Sequence, residues 1–348
     1  MQTLRSIDLQ DVVPFHCQGV FDAVSWGTGR GELDAVILGT SSQRFISLGM
    51  YQDGNEELDL ALRDRGDIPI VRRQIGGSAM FHGESDLLIC MVFNRDLFPQ
   101  SITRLARDVM RAIVNTYNSF GVDAHYQPVT GVAVRDVSIG RCAVGTVSGS
   151  VVLVSSIVVD SDREFGSRLL KMEQAPTSIR EQTGKTPGTA ELKGALLENL
   201  RSALSVQLRS SELLEEELAK VAEIEAGLSD SLQSGSVETR VARVLTKGAE
   251  AGVVVHQAMR VKRDGGHIGV TLAVANDKIL DLAFTGDVVL HLDHVAGLER
   301  ALLGVNPEWD SLMTAIENYY LSMQVDSPGT TPTDWVHAVA GAVETVPL

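Results

Sequence analysis

One stretch of the chain, residues 68–88, places two arginines and a turn of small residues between two apolar runs. The first run, 68–71, is typical of a short strand, and Arg72 and Arg73 follow it directly. In the turn at 76–79, glycine lets the backbone approach a ligand and adopt a positive φ, so that successive N–H groups can surround an anion. Arginine adds a planar fork of donors for carboxylate or phosphate. The stretch therefore predicts an anion-binding site, although a hairpin turn beside a structural salt bridge fits the same residues.

Length, charge and cysteine content limit the class of protein. The chain has 348 residues, 44% of them hydrophobic, which predicts two domains with substantial cores. A formal net charge of -15 argues against a nucleic-acid scaffold, which would carry a basic stripe. Cys17, Cys90 and Cys142 are too widely spaced to predict a disulfide framework or a zinc site. Because we find neither a signal peptide nor an apolar run of transmembrane length, we predict a cytoplasmic protein.

The apolar pattern of the first half predicts an α+β domain. Apolar runs at 34–39, 44–49 and 87–93 are typical of strands. With the short valine-rich runs at 129–159, separated by glycine and aspartate, they predict a mixed, largely antiparallel sheet. Apolar residues at helical spacing predict a helix over 103–120, and Gly121 is a suitable stop for it. A sheet with helices packed against it is the expected architecture.

Composition also predicts where the domains divide. The segment 175–190 is rich in proline, threonine and glycine and is the strongest predicted boundary. Two amphipathic helices are predicted after it, at 191–208 and 211–228, with Ser211 as the N-cap of the second. A second set of strands begins at Gly266 and predicts a smaller α+β C-terminal domain. The predicted organisation is a ligand-binding domain at 1–185, a helical connection at 186–250, an accessory domain at 251–325 and a tail at 326–348.

The residues of the opening stretch also carry a family resemblance. The run Arg72-Arg73-x-x-Gly76-Gly77-x-Ala79-x-Phe81-His82 resembles the signature of lipoate–protein ligases and lipoyl/octanoyl transferases, members of the biotin/lipoate ligase superfamily. Upstream, the run 47–52 is similar to that family's strand ending in Gly-x-x-Gln. Downstream, the glycine and aspartate runs at 264–270 and 285–287 resemble the family's accessory C-terminal domain. The resemblance covers residues 15–323 in the same domain order.

This resemblance implies an activity, ligands and a partner. The implied activity is activation of an acyl group and its transfer to a lysine of a carrier domain. The implied ligand is lipoate or octanoate, with ATP and Mg²⁺ as further ligands of the family. The implied acceptor is a lipoyl carrier domain or a glycine-cleavage-H-like protein. The implied ligand-binding residues are Arg72, Gly76, Gly77, Ser78, Ala79, Tyr51, Gln52 and Asp136.

One position departs from the family in a way that affects catalysis. In the run 135–147 the family carries an essential lysine, where this chain has Cys142. Cys142 is interpreted either as a nucleophile that takes the acyl group from a thioester or as a small buried residue of a valine-rich strand. His82 is interpreted either as a general base or as a structural histidine. Loss of the lysine counts against ATP-dependent ligation. The predicted function is acyltransfer in protein lipoylation; the alternative is a degenerate homologue, a pseudoenzyme, that only binds an acyl ligand or partner.

Overall fold

The computed structural model describes residues 2–96, 101–127, 131–160, 162–172, 174–228, 237–262, 266–290, 292–327 and 329–347. Contacts divide the chain into two units, and neither unit is one continuous segment. The first unit comprises residues 1–48, 57–75 and 79–231, and the second comprises residues 49–56, 76–78 and 232–348. The predicted domain limits at 185, 250 and 325 stay predictions.

Two sheets form the described part of the first unit. Its strands are β1 (Thr3–Val12), β2 (Ala35–Ser41), β3 (Phe45–Leu48), β4 (Ile70–Arg72), β5 (Met80–His82), β6 (Leu87–Asn94), β7 (His125–Gln127), β8 (Gly131–Val134), β9 (Val137–Val147), β10 (Ser150–Ile157) and β11 (Gln207–Ser211). Eight of them form a sheet in the order β11-β1-β2-β6-β10-β9-β8-β7, and the other three form a sheet in the order β4-β3-β5. In the large sheet β1 runs parallel to both of its neighbours, while the remaining pairs are antiparallel. The predicted mixed α+β architecture is therefore confirmed.

Helices cover both faces of the large sheet. The helices up to residue 228 are α1 (Pro14–Gly29), α2 (Gly54–Glu57), α3 (Leu60–Gly66), α4 (Ile102–Ser119), α5 (Arg163–Leu169), α6 (Ile179–Thr183), α7 (Thr189–Leu204) and α8 (Glu215–Leu228). Leu88 and Cys90 of β6 pack in one apolar cluster with Cys17 and Phe21 of α1. Ile89 alternates with them and is buried on the opposite face, where α4 and α7 contact the sheet.

Helix α4 forms for reasons that are visible in its sequence. Ser101 precedes it, and the Ser101 Oγ accepts a hydrogen bond from the Arg104 N over 3.3 Å, which satisfies one of the free N–H groups of the first turn. Its apolar residues recur every three or four positions and are buried. Gly121 follows its end with φ of 84°. The predicted helix over 103–120 is confirmed to within one residue at each end.

The region after α7 corrects two sequence-based predictions. The helix predicted over 191–208 ends at Leu204, because Ser205 adopts a left-handed conformation with φ of 54°. Residues 207–211 then form β11, which pairs in parallel with β1, so Ser211 is a strand residue and not an N-cap. Hydrogen bonds to β1, some 200 residues earlier, determine the conformation of β11. Local helix propensity does not depend on such distant partners and therefore cannot predict this strand.

The second unit contains its own sheet and helices. Its elements after residue 236 are α9 (Val237–Lys247), β12 (Val254–Val261), β13 (His267–Ala275), β14 (Lys278–Gly286), α10 (Leu292–Leu302), α11 (Trp309–Met323) and α12 (Pro332–Val343). The strands are antiparallel in the order β12-β13-β14. Trp335 and Phe284 meet edge to face in its core, with ring centroids 4.6 Å apart. Asp264 and Gly265 of the motif that resembles the accessory domain lie outside the described residues.

Across the parts of the chain that the structure describes, none of the helices combines the length and the apolar character needed to cross a lipid bilayer.

Candidate functional site

The two arginines of the motif have different environments. Arg73 is 1% exposed, and its Nη1 donates to the Ser47 carbonyl oxygen over 2.6 Å and to the Ser47 Oγ over 3.0 Å. Its backbone N–H donates to the Leu48 carbonyl oxygen over 2.8 Å, which joins it to β3. Arg72, the last residue of β4, is half-buried. The alternation expected for neighbouring strand residues is present, and the ligand-binding role predicted for Arg72 stays a prediction.

His82 lies at the end of β5 and is fully buried. Its ring stacks on Phe45 with centroids 4.7 Å apart. Burial, with a smaller contribution from the nearby charge of Arg73, lowers the pKa of His82 to about 3. Among the described residues its Nδ1 has no hydrogen-bond partner. His82 is therefore neutral at pH 7 and is a weak proton acceptor in this environment.

The glycine turn has close contacts within the second unit. Gly77 has φ of 95°, and its N–H donates to the Val288 carbonyl oxygen over 3.1 Å. A Cβ on Gly76 would lie only 1.7 Å from that same oxygen, so no larger residue fits the turn as it stands. Tyr51 Oη donates to the Leu290 carbonyl oxygen over 3.1 Å, and Gln52 Nε2 donates to Asp287 Oδ1 over 3.0 Å. The glycine turn and the predicted Gly-x-x-Gln strand end thus both form hydrogen bonds to the same segment of the second unit, residues 286–290.

The structure places the predicted site residues in two groups. The second unit contains Tyr51, Gln52, Gly76, Gly77 and Ser78. The first unit contains Arg72, Ala79, His82, Asp136 and Cys142. The predicted ligand-binding roles of both groups stay predictions.

The first unit has an open pocket beside β5 and β9, with a cavity volume of about 60 Å³. Most of its lining is apolar. It is lined by Ala79, Met80, Phe81, Ser138, Ile139, Gly140, Arg141, Ser156, Val158, Arg163, Gly166, Ser167, Leu170, Met172 and Pro176. Gly166 matters for its shape, because a Cβ there would lie 2.5 Å from the Phe81 ring. Of the predicted ligand-binding residues, Ala79 lines this pocket.

The pocket residues from Arg163 to Pro176 were not predicted from the sequence. Arg163 begins α5, after the N-cap Asp162, and forms an ion pair with Glu181 at 2.5 Å. Met172 and Pro176 follow in the connection to α6. The sequence does carry one signal, because a glycine such as Gly166 within a helix indicates a close approach of another group.

Cys142 and its neighbours on β9 alternate between the two faces of the sheet. Ala143 packs in the cluster beneath α1, and a Cβ on Gly145 would meet Ile75 at 2.9 Å or less, so these residues share one face. Arg141 is two residues from Ala143, so it lies on the same face of the sheet, where it lines the pocket. Cys142 lies between them in the strand and therefore faces the opposite side. Burial raises the pKa of the Cys142 thiol to about 12, although Arg73 opposes this effect. Its Sγ donates to the carbonyl oxygen of Ala143 over 3.4 Å.

Asp136 lies in the turn that joins β8 to β9. Its side chain is exposed, and the preceding Arg135 has φ of 55°. The two residues form a tight hairpin connection. Within the described ranges, no three histidine, cysteine, aspartate or glutamate side chains are grouped so that they could hold a metal ion.

Thiol reactivity tests the environment of Cys142 directly. A pKa of about 12 leaves on the order of one Cys142 in 10⁵ as thiolate at pH 7, and burial raises the pKa of Cys17 and Cys90 as well. We expect iodoacetamide to leave the intact mass of the native protein unchanged at pH 7. In concentrated urea, all three cysteines should be alkylated. Rapid labelling of native Cys142 would contradict a buried, neutral thiol.

Comparison with known proteins identifies the family. The family model for the lipoyl protein ligase A/B catalytic domain matches residues 25–201, just over half of the chain. Lipoate-protein ligase A subunit 1 of Thermoplasma acidophilum is 24% identical over 195 residues, which is 50% of this chain and 74% of that protein. The octanoyltransferase LipM of Staphylococcus aureus is 22% identical over 261 residues, which is 64% of this chain and 95% of that protein.

Solved structures share the fold. P. falciparum LipL1, in complex with lipoate, has a TM-score of 0.70 at 12% identity and covers 98% of this chain and 99% of its own. A putative lipoate protein ligase from T. acidophilum with bound lipoic acid has a TM-score of 0.57 at 22% identity and covers 65% and 96%. At such low identity these structures establish the architecture alone. The family model, which matches just over half of the chain, shows that this chain belongs to the lipoyl protein ligase A/B catalytic-domain family.

Proposed function

We propose that this protein binds a lipoyl or octanoyl group and passes it to a lysine of a lipoyl carrier domain. Support comes from the family and from curated relatives that are lipoate ligases and octanoyltransferases. A related archaeal lipoate protein ligase has been solved as part of a lipoylation system with its E2 lipoyl domain, which favours the same kind of acceptor here. A glycine-cleavage-H-like acceptor remains part of the proposal.

The observation that carries the proposal is the apolar pocket with Arg141 in its wall. Its cavity volume, about 60 Å³, is well below the roughly 300–1,000 Å³ that is typical of small-molecule sites, so an acyl ligand requires side chains around the pocket to move. Side chains such as Met80, Leu170 and Met172 suit an alkyl chain. The Arg141 guanidinium supplies donors for a carboxylate, a phosphate or a polarised carbonyl. A ligand with an alkyl tail and a polar head matches this combination.

The form in which the acyl group arrives distinguishes two routes. Solved structures of similar fold contain lipoate, lipoic acid or ATP. The acyl ligand proposed here is therefore lipoate or octanoate. ATP and Mg²⁺ would take part only in the ligation route. The lysine on which the family relies is replaced by Cys142. A donor that is already activated, such as a thioester, needs no ATP.

In the thioester route Cys142 is the proposed nucleophile. Its thiol loses a proton, the Sγ attacks the carbonyl carbon of the donor thioester, and the donor thiol leaves and takes up a proton. The amine of the carrier lysine then attacks the same carbon, an amide forms, and the Sγ leaves and is protonated again. The Cys142 thiol has a pKa of about 12 and lies on the face of β9 opposite the one on which Arg141 lines the pocket, so this route requires a rearrangement around Cys142 before the attack.

A second candidate function is acyl binding without transfer. The raised pKa of Cys142 and the lowered pKa of His82 favour it, because both groups are neutral and buried at pH 7. In that case the pocket would hold an acyl ligand for regulation or for delivery to a partner.

One experiment separates the two candidates. We expect incubation with octanoyl-coenzyme A to add one octanoyl group to the intact mass, and Cys142→Ser to remove that adduct. Cys90→Ser is the matched control, since Cys90 is also buried in the large sheet but belongs to β6. Saturable octanoate binding with no adduct would support the second candidate. Absence of both binding and adduct would overturn the proposal.

Exchange of labelled pyrophosphate into ATP tests the ligation route separately. Exchange that depends on lipoate would show acyl-adenylate formation by groups other than the family's lysine. We expect no exchange above background, because the chain has Cys142 at that position.

A further inference from the structure

The buried carboxyl group of Asp86 connects the two sheets of the first unit. Asp86 lies in the turn between β5 and β6 and is 0% exposed. Its Oδ2 accepts a hydrogen bond from the Gly83 N–H over 2.8 Å, and its Oδ1 accepts one from the Val159 N–H over 2.9 Å. Gly83 follows β5 of the three-stranded sheet, and Val159 lies just after β10 of the eight-stranded sheet. One side chain thus joins the ends of two strands from different sheets.

Both of the connected strand ends contribute to the wall of the pocket. Met80 and Phe81 of β5 line it, and so do Ser156 of β10 and the following Val158. Because the cavity volume is only about 60 Å³, an acyl ligand requires the residues around the pocket to move. The two hydrogen bonds of Asp86 oppose a separation of these strand ends. Asp86 is therefore placed to control how easily the pocket widens.

The two N–H donors are both satisfied by an ionised carboxyl group and not by a neutral one. A carboxylate accepts through each oxygen, whereas a protonated carboxyl group has a hydrogen on one oxygen, which would then face an N–H group. Burial raises the pKa of Asp86 to about 7; the two backbone hydrogen bonds oppose this effect and the charge of Asp160 adds to it. Both forms of Asp86 are therefore populated near neutral pH, and the protonated form loses one of the two hydrogen bonds.

The charged groups near Asp86 lie on the connection after β10, on α6 and in the turn itself. Asp160 forms an ion pair with Arg180 of α6 at 2.5 Å. Glu84, in the same turn as Asp86, is exposed to solvent. The charge of Asp160 is thus compensated, and that of Glu84 is solvated.

Two buried titratable groups also lie near Asp86. Tyr117 of α4 donates to the Ile139 carbonyl oxygen over 3.1 Å, and burial raises its pKa above the usual range. Burial lowers the pKa of His82 on β5 to about 3. Both groups therefore stay neutral between about pH 6 and about pH 8. Of these three buried groups, Asp86 is the one that changes its charge in this range.

We propose that Asp86 is a positioning residue for the acyl pocket, which holds two parts of the pocket wall together as a carboxylate and releases one of them when it is protonated; this inference rests on the proposed function. Release makes the widened pocket easier to populate, so the apparent affinity for an acyl ligand should be higher at lower pH. The proton is exchanged with solvent, and no covalent bond of the ligand changes.

The pH dependence of octanoate binding tests the inference. We expect the Kd of the unmodified protein for octanoate, measured by calorimetry, to be at least about threefold lower at about pH 6 than at about pH 8. Octanoate itself stays ionised over this range, because the pKa of a free carboxyl group is about 4. Asp86→Asn has nearly the same shape and is neutral at every pH. Its Kd should be the same at both pH values and close to that of the unmodified protein at the lower pH.

Asp22→Asn is the matched control. Asp22 is also buried, and burial raises its pKa to about 7, but its Oδ1 accepts from the Gln18 Nε2 within α1 over 2.8 Å. This variant should therefore keep the pH dependence of octanoate binding. A purely structural role of Asp86 would change the Kd of Asp86→Asn equally at both pH values and leave its pH dependence as it is.

Hydrogen exchange of the Gly83 and Val159 amides reports on the strand ends without any ligand. We expect the protection factors of these amides to fall from about pH 8 to about pH 6 in the unmodified protein and in Asp22→Asn, and to be low at both pH values in Asp86→Asn. The expected protection without octanoate binding would overturn the proposed function and still support control of the pocket wall by Asp86. Protection that does not change with pH, or octanoate binding with the same Kd at both pH values, would overturn the inference.

Discussion

Replacing Glu217 with alanine is expected to lower the free energy of unfolding of the first unit by about 3–5 kcal/mol. Glu217 accepts two hydrogen bonds of 2.7 Å from the guanidinium of Arg5, and the two residues are 1% and 4% exposed. It also accepts from the Leu214 N–H over 2.8 Å at the start of α8. Alanine would leave the Arg5 charge buried without its carboxylate, which is the costly way to break a buried ion pair.

Urea unfolding followed by far-UV circular dichroism measures this loss. Glu223→Ala is the control, because Glu223 is 69% exposed and its ion pair with Lys220 should contribute less than about 1 kcal/mol. Combining Glu217→Leu with Arg5→Met should restore much of the stability, since both charges are then removed together. Equal losses of unfolding free energy for Glu217→Ala and Glu223→Ala would show that the buried ion pair stabilises the fold no more than the exposed one.

Gly76→Ala is expected to destabilise the second unit by about 1–3 kcal/mol, the usual cost of forcing extra atoms into a filled space. The new methyl group would lie 1.7 Å from the Val288 carbonyl oxygen and 3.1 Å from the Tyr51 ring. The turn has to move away, and the hydrogen bond from the Gly77 N–H to that oxygen is lost with it. Thermal unfolding by calorimetry measures the effect.

Gly194→Ala is the control for this change. Gly194 lies within α7, is exposed, and has nothing within 4 Å of its would-be Cβ, so alanine should stabilise the helix by about 0.5–1 kcal/mol. The result also bears on the interpretation of the motif. If Gly76→Ala abolishes acyl binding while the melting temperature stays unchanged, the glycine serves the ligand and not the packing of the turn.

Elements with a strong local pattern were predictable, and elements fixed by distant partners were not. Helix α4 has an N-cap, regular apolar spacing and a glycine stop, and its prediction is confirmed. The sequence of helix α1 shows no helical period, because the sheet and α8 enclose the helix. Every residue from Cys17 to Ser25 is buried, so no polar face marks the period. Strands β1 and β11 depend on each other across the sequence, which no local window contains.

The site shows the same division. The glycine turn could be recognised from the sequence because its residue type is restricted. The Val288 carbonyl oxygen lies so close to Gly76 that only glycine fits there. The pocket wall around Met172 tolerates many apolar side chains and therefore left no motif to recognise. The burial that decides the protonation of Cys142 depends on α4 and on the neighbouring strands, so its raised pKa follows from the fold and not from adjacent residues.

The discontinuous second unit has a consequence for how this family can change by recombination. The residues 49–56 and 76–78 are separated from 232–348 by more than 150 residues, yet Tyr51 belongs to the apolar core of that C-terminal segment. A gene fragment that encodes only the C-terminal segment would lack part of its own core. The two units should therefore be inherited together and diverge as a pair. A chimera joined near residue 231 should fold only when the C-terminal segment comes from a donor whose residues equivalent to 49–56 and 76–78 resemble those of this chain.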